Sequence, residues 1–389
     1  LVLSAGDQNL SSVIKDAVEN TTQQLSGSEN SSSDKTGWDA NCEDIGRVQM
    51  QNSPMDLPDV GSIIPLGLVA GAHVTPIDHL YFSPLDFNSP RDAYPVYAMA
   101  DGYIIDVGVR RQMVDTGAAR PPEYRIVFQH SCQTISYFDL VTSLDDSILS
   151  QIPRLQTDDY SGQVRIPVQA GQLIGRIGGQ TLDTAVYNID LTLPGFISPE
   201  LYDAESWKIH TDDFFSYFDE PLRSELLALN WRTAEPRSGK IDYDQPGKLI
   251  GNWFLEGTNG YAGAGSYGSG SGSDGYWVGH LAIFYENINP DRIIVSFGNY
   301  QGSPQFFYVL GNAPDPADVD VDSGIIKYQL TEPVRYNQKS ALSTVPSTIV
   351  QGTVLFQVLA GEKLQMEVFP GKTGDQVSGF TSAALTYER

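Results

Sequence analysis

Short runs of β-branched and aromatic residues, cut by Gly, Pro or Asp, recur along most of this chain and leave little room for long helices. Four lie between residues 95 and 193: PVYAMADGYIIDVG (95–108), YRIVFQHSCQTISYFDL (124–140), IPVQAGQLIGRIG (166–178) and VYNIDLTL (186–193). Seven more follow: KLIGNWFLEG (248–257), WVGHLAIFYENI (277–288), RIIVSFGNY (292–300), QFFYVLG (305–311), GIIKYQL (324–330), GTVLFQVLAG (352–361) and KLQMEVFP (363–370), with a final run at 380–388. Such composition at turn-punctuated spacing predicts strands. The 37 Gly and 23 Pro supply the turns. The fold class expected is mainly β, and the strands after 248 suit a closed antiparallel barrel or a sandwich.

Two stretches break the pattern. Leu10, Val13, Ile14, Ala17, Val18 and Leu25 recur near helical spacing and predict an amphipathic N-terminal helix. A Ser-rich linker follows at 26–37. Residues 212–230 read as a second helix, with Phe214, Phe215, Tyr217 and Phe218 ahead of Leu222, Leu226, Leu227 and Leu229. With 389 residues, more than one core is expected. The division read from the sequence is an arm at 1–37, a β domain at 38–199, a helical connector and linker at 200–247, and a β-barrel or sandwich domain at 248–389. The Gly/Ser/Tyr stretch 260–277 reads as an excursion offering Tyr261, Tyr267, Tyr276 and Trp277 to a ligand or neighbour.

The formal net charge is −24. An acidic surface repels nucleic acid and anionic membranes, and no run approaches the ~20 apolar residues that span a bilayer. Neither is expected as a partner. The chain opens LVLSAG without Met, the pattern of a mature form after leader removal. Its two cysteines, Cys42 and Cys132, either pair, as in secreted chains, or stay as buried thiols. Asn9, Asn20 and Asn30 open Asn-x-Ser/Thr tripeptides, candidate glycosylation sites. These features point to a secreted, extracellular or cell-surface protein.

In their order, the four runs between 95 and 193 resemble the lysostaphin/LytM-type zinc endopeptidases, which cut peptidoglycan cross-bridges. The likeness spans residues 60–195. It is most specific at Ala100-Asp101-Gly102 and at Ala170-Gly171-Gln172 with Ile174-Gly175. The latter run also occurs in biotinyl-lipoyl hairpins, but those need a Lys at the hairpin tip, and none lies between 166 and 190. The resemblance implies an antiparallel β domain. It also implies zinc held by a His and an Asp from one segment and a His from a distant strand, with one position open for water.

The family pattern is His-x-x-x-Asp early, Tyr-x-His-Leu in the middle and His-x-His-Phe-Glu late. Here the early segment carries His73, Asp78 and His79, with His73 and Asp78 one residue too far apart. Asp139 falls where the resemblance implies a catalytic His. Val186 and Asn188 fall at the late pair. Val can neither bind metal nor carry a proton, and Asn offers zinc a poor ligand. The candidate metal set is therefore His73, Asp78, His79 and Asn188. An oxygen-rich alternative of Asp78, Asp139, Asn188 and Asp190 suits calcium better, and ordinary turn polarity is the plainer reading of those four. No cofactor is expected, with zinc or calcium as the alternatives.

Elsewhere, Asp315, Asp318, Asp320 and Asp322 precede Gly324 and resemble the start of a calcium loop. The Gly comes one place late and Gln329 replaces the bidentate Glu, so an acidic turn is expected. His130 and His280 read as packed structural residues. Gly251-Asn252-Trp253 resembles the Gly-x-Trp of lipocalin-like barrels and fits a barrel that closes on a Trp.

The expectation is a secreted, non-catalytic module on a degenerate peptidase-like scaffold. It would bind extracellular glycan or protein, or assemble with copies of itself into filaments with Leu1–Leu25 as connector. The alternative is an active zinc endopeptidase cutting peptidoglycan or peptide cross-links through His73 or His79 and Asp78.

Overall fold

The order of hydrogen-bonded strands departs from the order of the sequence in the first half of the chain and follows it in the second. A computed structural model describes residues 42, 46–110, 121–156, 162–263, 275–335 and 344–389. The N-terminal helix, the Ser-rich linker, Tyr267 and the three sequon residues Asn9, Asn20 and Asn30 lie outside the described residues.

The first half holds β1 (Val60–Ile64), β2 (Leu80–Pro84), β3 (Tyr94–Tyr97), β4 (Gly102–Arg110), β5 (Glu123–Gln129), β6 (Thr134–Val141), β7 (Ser143–Leu144), β8 (Gly162–Val168), β9 (Leu173–Ile177) and β10 (Leu182–Asn188). A seven-stranded sheet runs β1-β2-β10-β6-β5-β4-β8, and a three-stranded sheet runs β3-β9-β7. Every pairing is antiparallel. Alternation along each strand sends one set of side chains to each face. Phe82, Ile104, Phe128, Phe138 and Val186 point to one face and pack with Val96, Leu144, Ile174 and Ile177 of the smaller sheet in the main core. Ile105, Ile135, Tyr137, Ala185 and Tyr187 form a separate cluster on the opposite face.

The Ala100-Asp101-Gly102 turn sits where β4 leaves the small sheet's side. A Cβ on Gly102, whose φ is +156°, would stand 2.5 Å from the Gln129 carbonyl oxygen, so the close approach requires glycine. His130 packs beside it, with Nδ1 2.9 Å from the Asp101 carbonyl oxygen and Nε2 2.8 Å from Ser136 Oγ. Cys132, in the turn between β5 and β6, is bonded to Cys42 with a Cα–Cα distance of 4.9 Å.

The expected helix over 212–230 is not continuous. It is realised as a 3-10 turn at Phe214–Tyr217 and an α-helix at Leu222–Leu229. Pro221 lies between them and cannot donate to a continuing helix. All four aromatic residues at 214, 215, 217 and 218 are buried, so they fill the core rather than form one stripe. Within the stretch 200–247, read as a helical connector and linker, Ile241, Asp242, Tyr243 and Asp244 are all buried.

The second half closes on itself. β11 (Gly251–Leu255), β12 (His280–Tyr285), β13 (Ile293–Tyr300), β14 (Ser303–Val309), β15 (Ile326–Arg335), β16 (Thr344–Leu359), β17 (Lys363–Pro370) and β18 (Leu385–Glu388) form a barrel in sequence order. Phe254 pairs with Glu388 and Leu255 with Tyr387 to seal it. Its interior is filled by Trp253, Phe297, Phe307, Tyr328, Phe356 and Met366, among others. One end closes on Trp253, as the Gly-x-Trp tripeptide predicts. Trp253 Nε1 donates to the Leu249 carbonyl at 2.9 Å, and the Arg389 guanidinium lies 4.0 Å over the indole. Arg389 also donates to the carbonyls of Ile250, Gln245 and Lys248.

The barrel's outer face joins the main core through Phe254, Tyr261, Tyr276 and Trp277. Of these, Tyr261, Tyr276 and Trp277 read in the sequence as offered to a ligand or neighbour. Their apolar area is instead buried inside the molecule, where it is worth more. The acidic run is a turn: Asp320 caps the 3-10 turn at Val321–Ser323 and meets Lys248 at 3.0 Å.

Candidate functional site

The face of the seven-stranded sheet away from the main core carries a buried polar cluster. β2 brings Tyr81, with His79 and Asp78 just ahead of it. β10 brings Asp183 and Tyr187, β6 brings Tyr137 and Asp139, and β5 brings Arg125. Register places Asp183 opposite both Tyr81 and Asp139. The segment Pro199–His210 returns across this face, tied down where Thr211 bridges Tyr187, and delivers Trp207 and Lys208. Asp78, His79, Asp139, Asp183 and Lys208 are all buried.

The contacts within the cluster are specific. Tyr187 donates its hydroxyl to Asp78 Oδ2 at 2.9 Å. His79 Nδ1 lies 3.3 Å from Asp78 Oδ1, and its Nε2 lies 3.6 Å from Asp183 Oδ2. Thr181 donates to the other Asp183 oxygen at 2.8 Å. Asp139 accepts the Leu140 backbone N–H at 2.8 Å and lies 4.0 Å from Arg125. The Arg125 guanidinium stands 4.4 Å over the Tyr137 ring and 6.0 Å from that of Trp207. Lys208 Nζ donates to the Pro76 carbonyl at 2.8 Å, with the Tyr261 ring 5.5 Å away.

These neighbours set the charges. Burial alone would raise the Asp78 pKa, but Lys208, His79 and Tyr187 outweigh it and hold the carboxyl well below the usual range. Burial works against the Arg125 charge, and Asp139 with the surrounding phenols outweighs it, so its pKa is raised. Burial, reinforced by the nearby carboxylates, pushes Tyr81, Tyr137 and Tyr187 well above the ordinary phenol value. At neutral pH Asp78 and Arg125 therefore stay charged and the three phenols stay neutral.

Of the candidate metal residues, Asp78 and His79 meet in the cluster, and His73 reaches it through His79. The His73 and His79 rings meet edge to face at 5.9 Å. Asn188 does not join them. It lies on the same face of β10 as Val186, which is buried in the main core, and its Nδ2 is 3.5 Å from Asp212 Oδ2. Val186 likewise points away from the cluster. Asp190 is exposed, with its backbone N–H held by Asn188 Oδ1 at 3.1 Å. The residues of β10 that face Asp78 are Asp183, Ala185 and Tyr187, one register step from the pair read in the sequence. Asp139 does join the cluster.

This donor set does not fit zinc. Both Asp78 oxygens are engaged, and both His79 nitrogens face carboxylates. Neither His79 nitrogen is directed at open space, as a metal-ligating nitrogen requires. Among the described residues no three His, Cys, Asp or Glu side chains converge as a metal-holding group.

Sequence reasoning missed Asp183, Tyr187, Arg125 and Lys208. Asp183 and Tyr187 carried a usable signal, because Leu182, Thr184 and Val186 alternate with them and include the more apolar set. Lys208 carried none. A cavity of about 200 Å³ between the β1–β2 loop and the barrel, lined in part by Leu68, Glu286, Phe306 and Tyr308, includes no residue of this cluster.

No family model matches the chain, and no curated protein does. Among solved structures, the NMR solution structure of lysostaphin aligns over 68% of this chain and 92% of that one, at 13% identity and a TM-score of 0.26. At that score the superposition carries no argument.

Proposed function

We propose that this protein is a secreted, non-catalytic extracellular module that binds glycan or protein or joins copies of itself. The observation that carries this reading is β10. On the face where a hydrolytic site would stand, it presents Asp183, Ala185 and Tyr187; Asp183 engages His79 and Tyr187 engages Asp78 rather than leave them open. The Cys42–Cys132 bond supports an oxidising compartment. Among the described residues no helix is long and apolar enough to cross a membrane. Because aromatic side chains fill the barrel interior, ligand recognition belongs to outer surfaces.

The test is incubation of the full chain with zinc and cross-linked peptidoglycan, read by release of new amino termini. No release is expected. Cross-link cleavage that disappears in His73→Ala would replace this reading with the zinc endopeptidase. Negative-stain images separate the two non-catalytic forms: filaments that vanish on deletion of residues 1–36 select assembly, and a monodisperse monomer selects binding.

A further inference from the structure

We propose that the cavity between the β1–β2 loop and the outer wall of the barrel is a sugar-binding site. It takes one neutral monosaccharide ring, whose hydroxyls donate to its polar end and whose C–H face lies on Phe306. This rests on the glycan-binding form of the non-catalytic reading and names its ligand.

Ligand pockets form preferentially where two bodies of a chain meet. One wall here is the loop at Leu68 and Val69. The other is the outer face of β13 and β14, with Ile294, Phe306 and Tyr308. Both walls are tied down. Val69 packs with Ile294 and Tyr308 in one cluster, and the Leu68 carbonyl accepts the Ile77 N–H at 3.0 Å. Across the junction, Asn287 donates to the Pro65 carbonyl at 3.0 Å. The buried Arg232 donates to the Asn287 carbonyl at 2.7 Å. The space is thus preformed. At about 200 Å³ it falls below the ~300–1,000 Å³ of pockets for drug-sized ligands, so it suits one ring rather than a chain.

The polar end accepts hydrogen bonds rather than donates them. Glu286 is 4% exposed. Tyr308 donates its hydroxyl hydrogen to Glu286 Oε1 at 2.8 Å, so Thr344 Oγ1, also 2.8 Å from the phenol oxygen, donates to Tyr308 in turn. Arg292 reaches Glu286 Oε2 at 3.0 Å, and the Asn289 backbone N–H bonds the same carboxyl. A carboxylate offers about four acceptor places and a hydroxyl about two. Glu286 and Thr344 therefore keep places to accept, while the hydrogens of both hydroxyls are spent. The ligand must donate. Arg292 offsets the Glu286 charge, so an ammonium gains little net attraction and a neutral hydroxyl is the fitting donor. Opposite this end the lining is apolar, and the half-buried Phe306 ring gives a flat face. Hydroxyls along an edge and C–H groups on a face are what a pyranose brings to such a ring.

Titration of the full chain with glucose and with N-acetylglucosamine, read by saturation-transfer NMR, tests the site. p-Cresol and butylammonium probe the other ligand classes. Millimolar binding of a sugar is expected, since so few heavy atoms make contact. Phe306→Ala is expected to weaken it about tenfold. Thr344→Val, which keeps the shape and removes the acceptor, is expected to weaken it about threefold. Thermal unfolding checks that both variants fold, and if Phe306→Ala does not, Thr344→Val carries the test. Absence of sugar binding overturns the site. Sugar binding that the folded variants leave unchanged overturns its placement. Binding of p-cresol or butylammonium but of neither sugar overturns the ligand class. Peptidoglycan cleavage with this sugar binding intact would remove the non-catalytic reading and leave the site in place. Neither cleavage nor sugar binding would do the reverse.

Discussion

Val186 and Asn188 show how much a single residue step decides. Read as a motif, they occupy the late His-x-His positions; in the sheet they point away from Asp78. A one-residue change in register moves every side chain of a strand to its other face, and a motif alignment has no means of sensing which face is which. Val186 is 0% exposed in the main core. Val186→His therefore buries an unpaired polar ring and is expected to cost about 3 kcal/mol or more. Asn188→His, on a half-buried position at the strand end, is expected to stay within about 0.5 kcal/mol. Equal effects in urea unfolding would contradict the assigned register.

His280 gives a second residue-scale test. Burial among Phe254, Tyr261 and Tyr276 lowers its pKa from 6.5 to about 3. The unfolded chain then binds a proton below 6.5 that the folded chain refuses. Stability is lost as pH falls from 6.5 toward 3, by roughly 3 kcal/mol at about pH 4. Asp244, pushed up to about 6 by burial, acts oppositely: its contribution is present below 3.8 and lost as pH rises through 6. The informative comparison is thus wild type against His280→Gln. The variant is expected to lose less stability between those pH values, and parallel curves would contradict the neutral, buried imidazole.

At the scale of elements, the strands of the barrel are legible because most contain a short apolar run bounded by turn residues, and each pairs with its sequence neighbours. Local pattern and topology agree there. In the first half they diverge. β10 inserts between β2 and β6, and neither β1 nor β2 stands out in the sequence, since all five residues of β2 are buried and no alternation shows. The expected 212–230 helix failed for a different reason: four clustered aromatic residues satisfied a helical stripe on paper but were needed on several sides of the core. The Cys42–Cys132 bond ties the start of the described chain to the β5–β6 turn and closes a loop with a sequence separation of 90. Its replacement by serines is expected to cost about 2–5 kcal/mol. An unchanged denaturation midpoint in the double serine variant would show that the bond constrains nothing the sheet does not already hold.

The whole molecule is organised around the segment Pro199–His210. Tyr202 at one end accepts a hydrogen bond from Asn252 at 2.9 Å and meets Phe196 and the barrel's Phe254 edge to face. Trp207 and Lys208 at the other end close the polar face of the first sheet. Nothing local in PELYDAESWKIH announces this. Its role exists only once the barrel and the sheet stand side by side, which is why the sequence pointed to a cluster around His73, Asp78 and His79 but not to the lysine buried near it against the Pro76 carbonyl. The non-catalytic account depends on Asp78 and His79 staying engaged with Tyr187 and Asp183. Diffraction from crystals of the full chain grown with zinc, recorded on both sides of the zinc absorption edge, tests it most directly. The account predicts no anomalous peak among His73, Asp78, His79 and Asp183, with the Lys208 ammonium against the Pro76 carbonyl. A zinc peak bonded to Asp78 and a histidine, with Lys208 turned away, would contradict it.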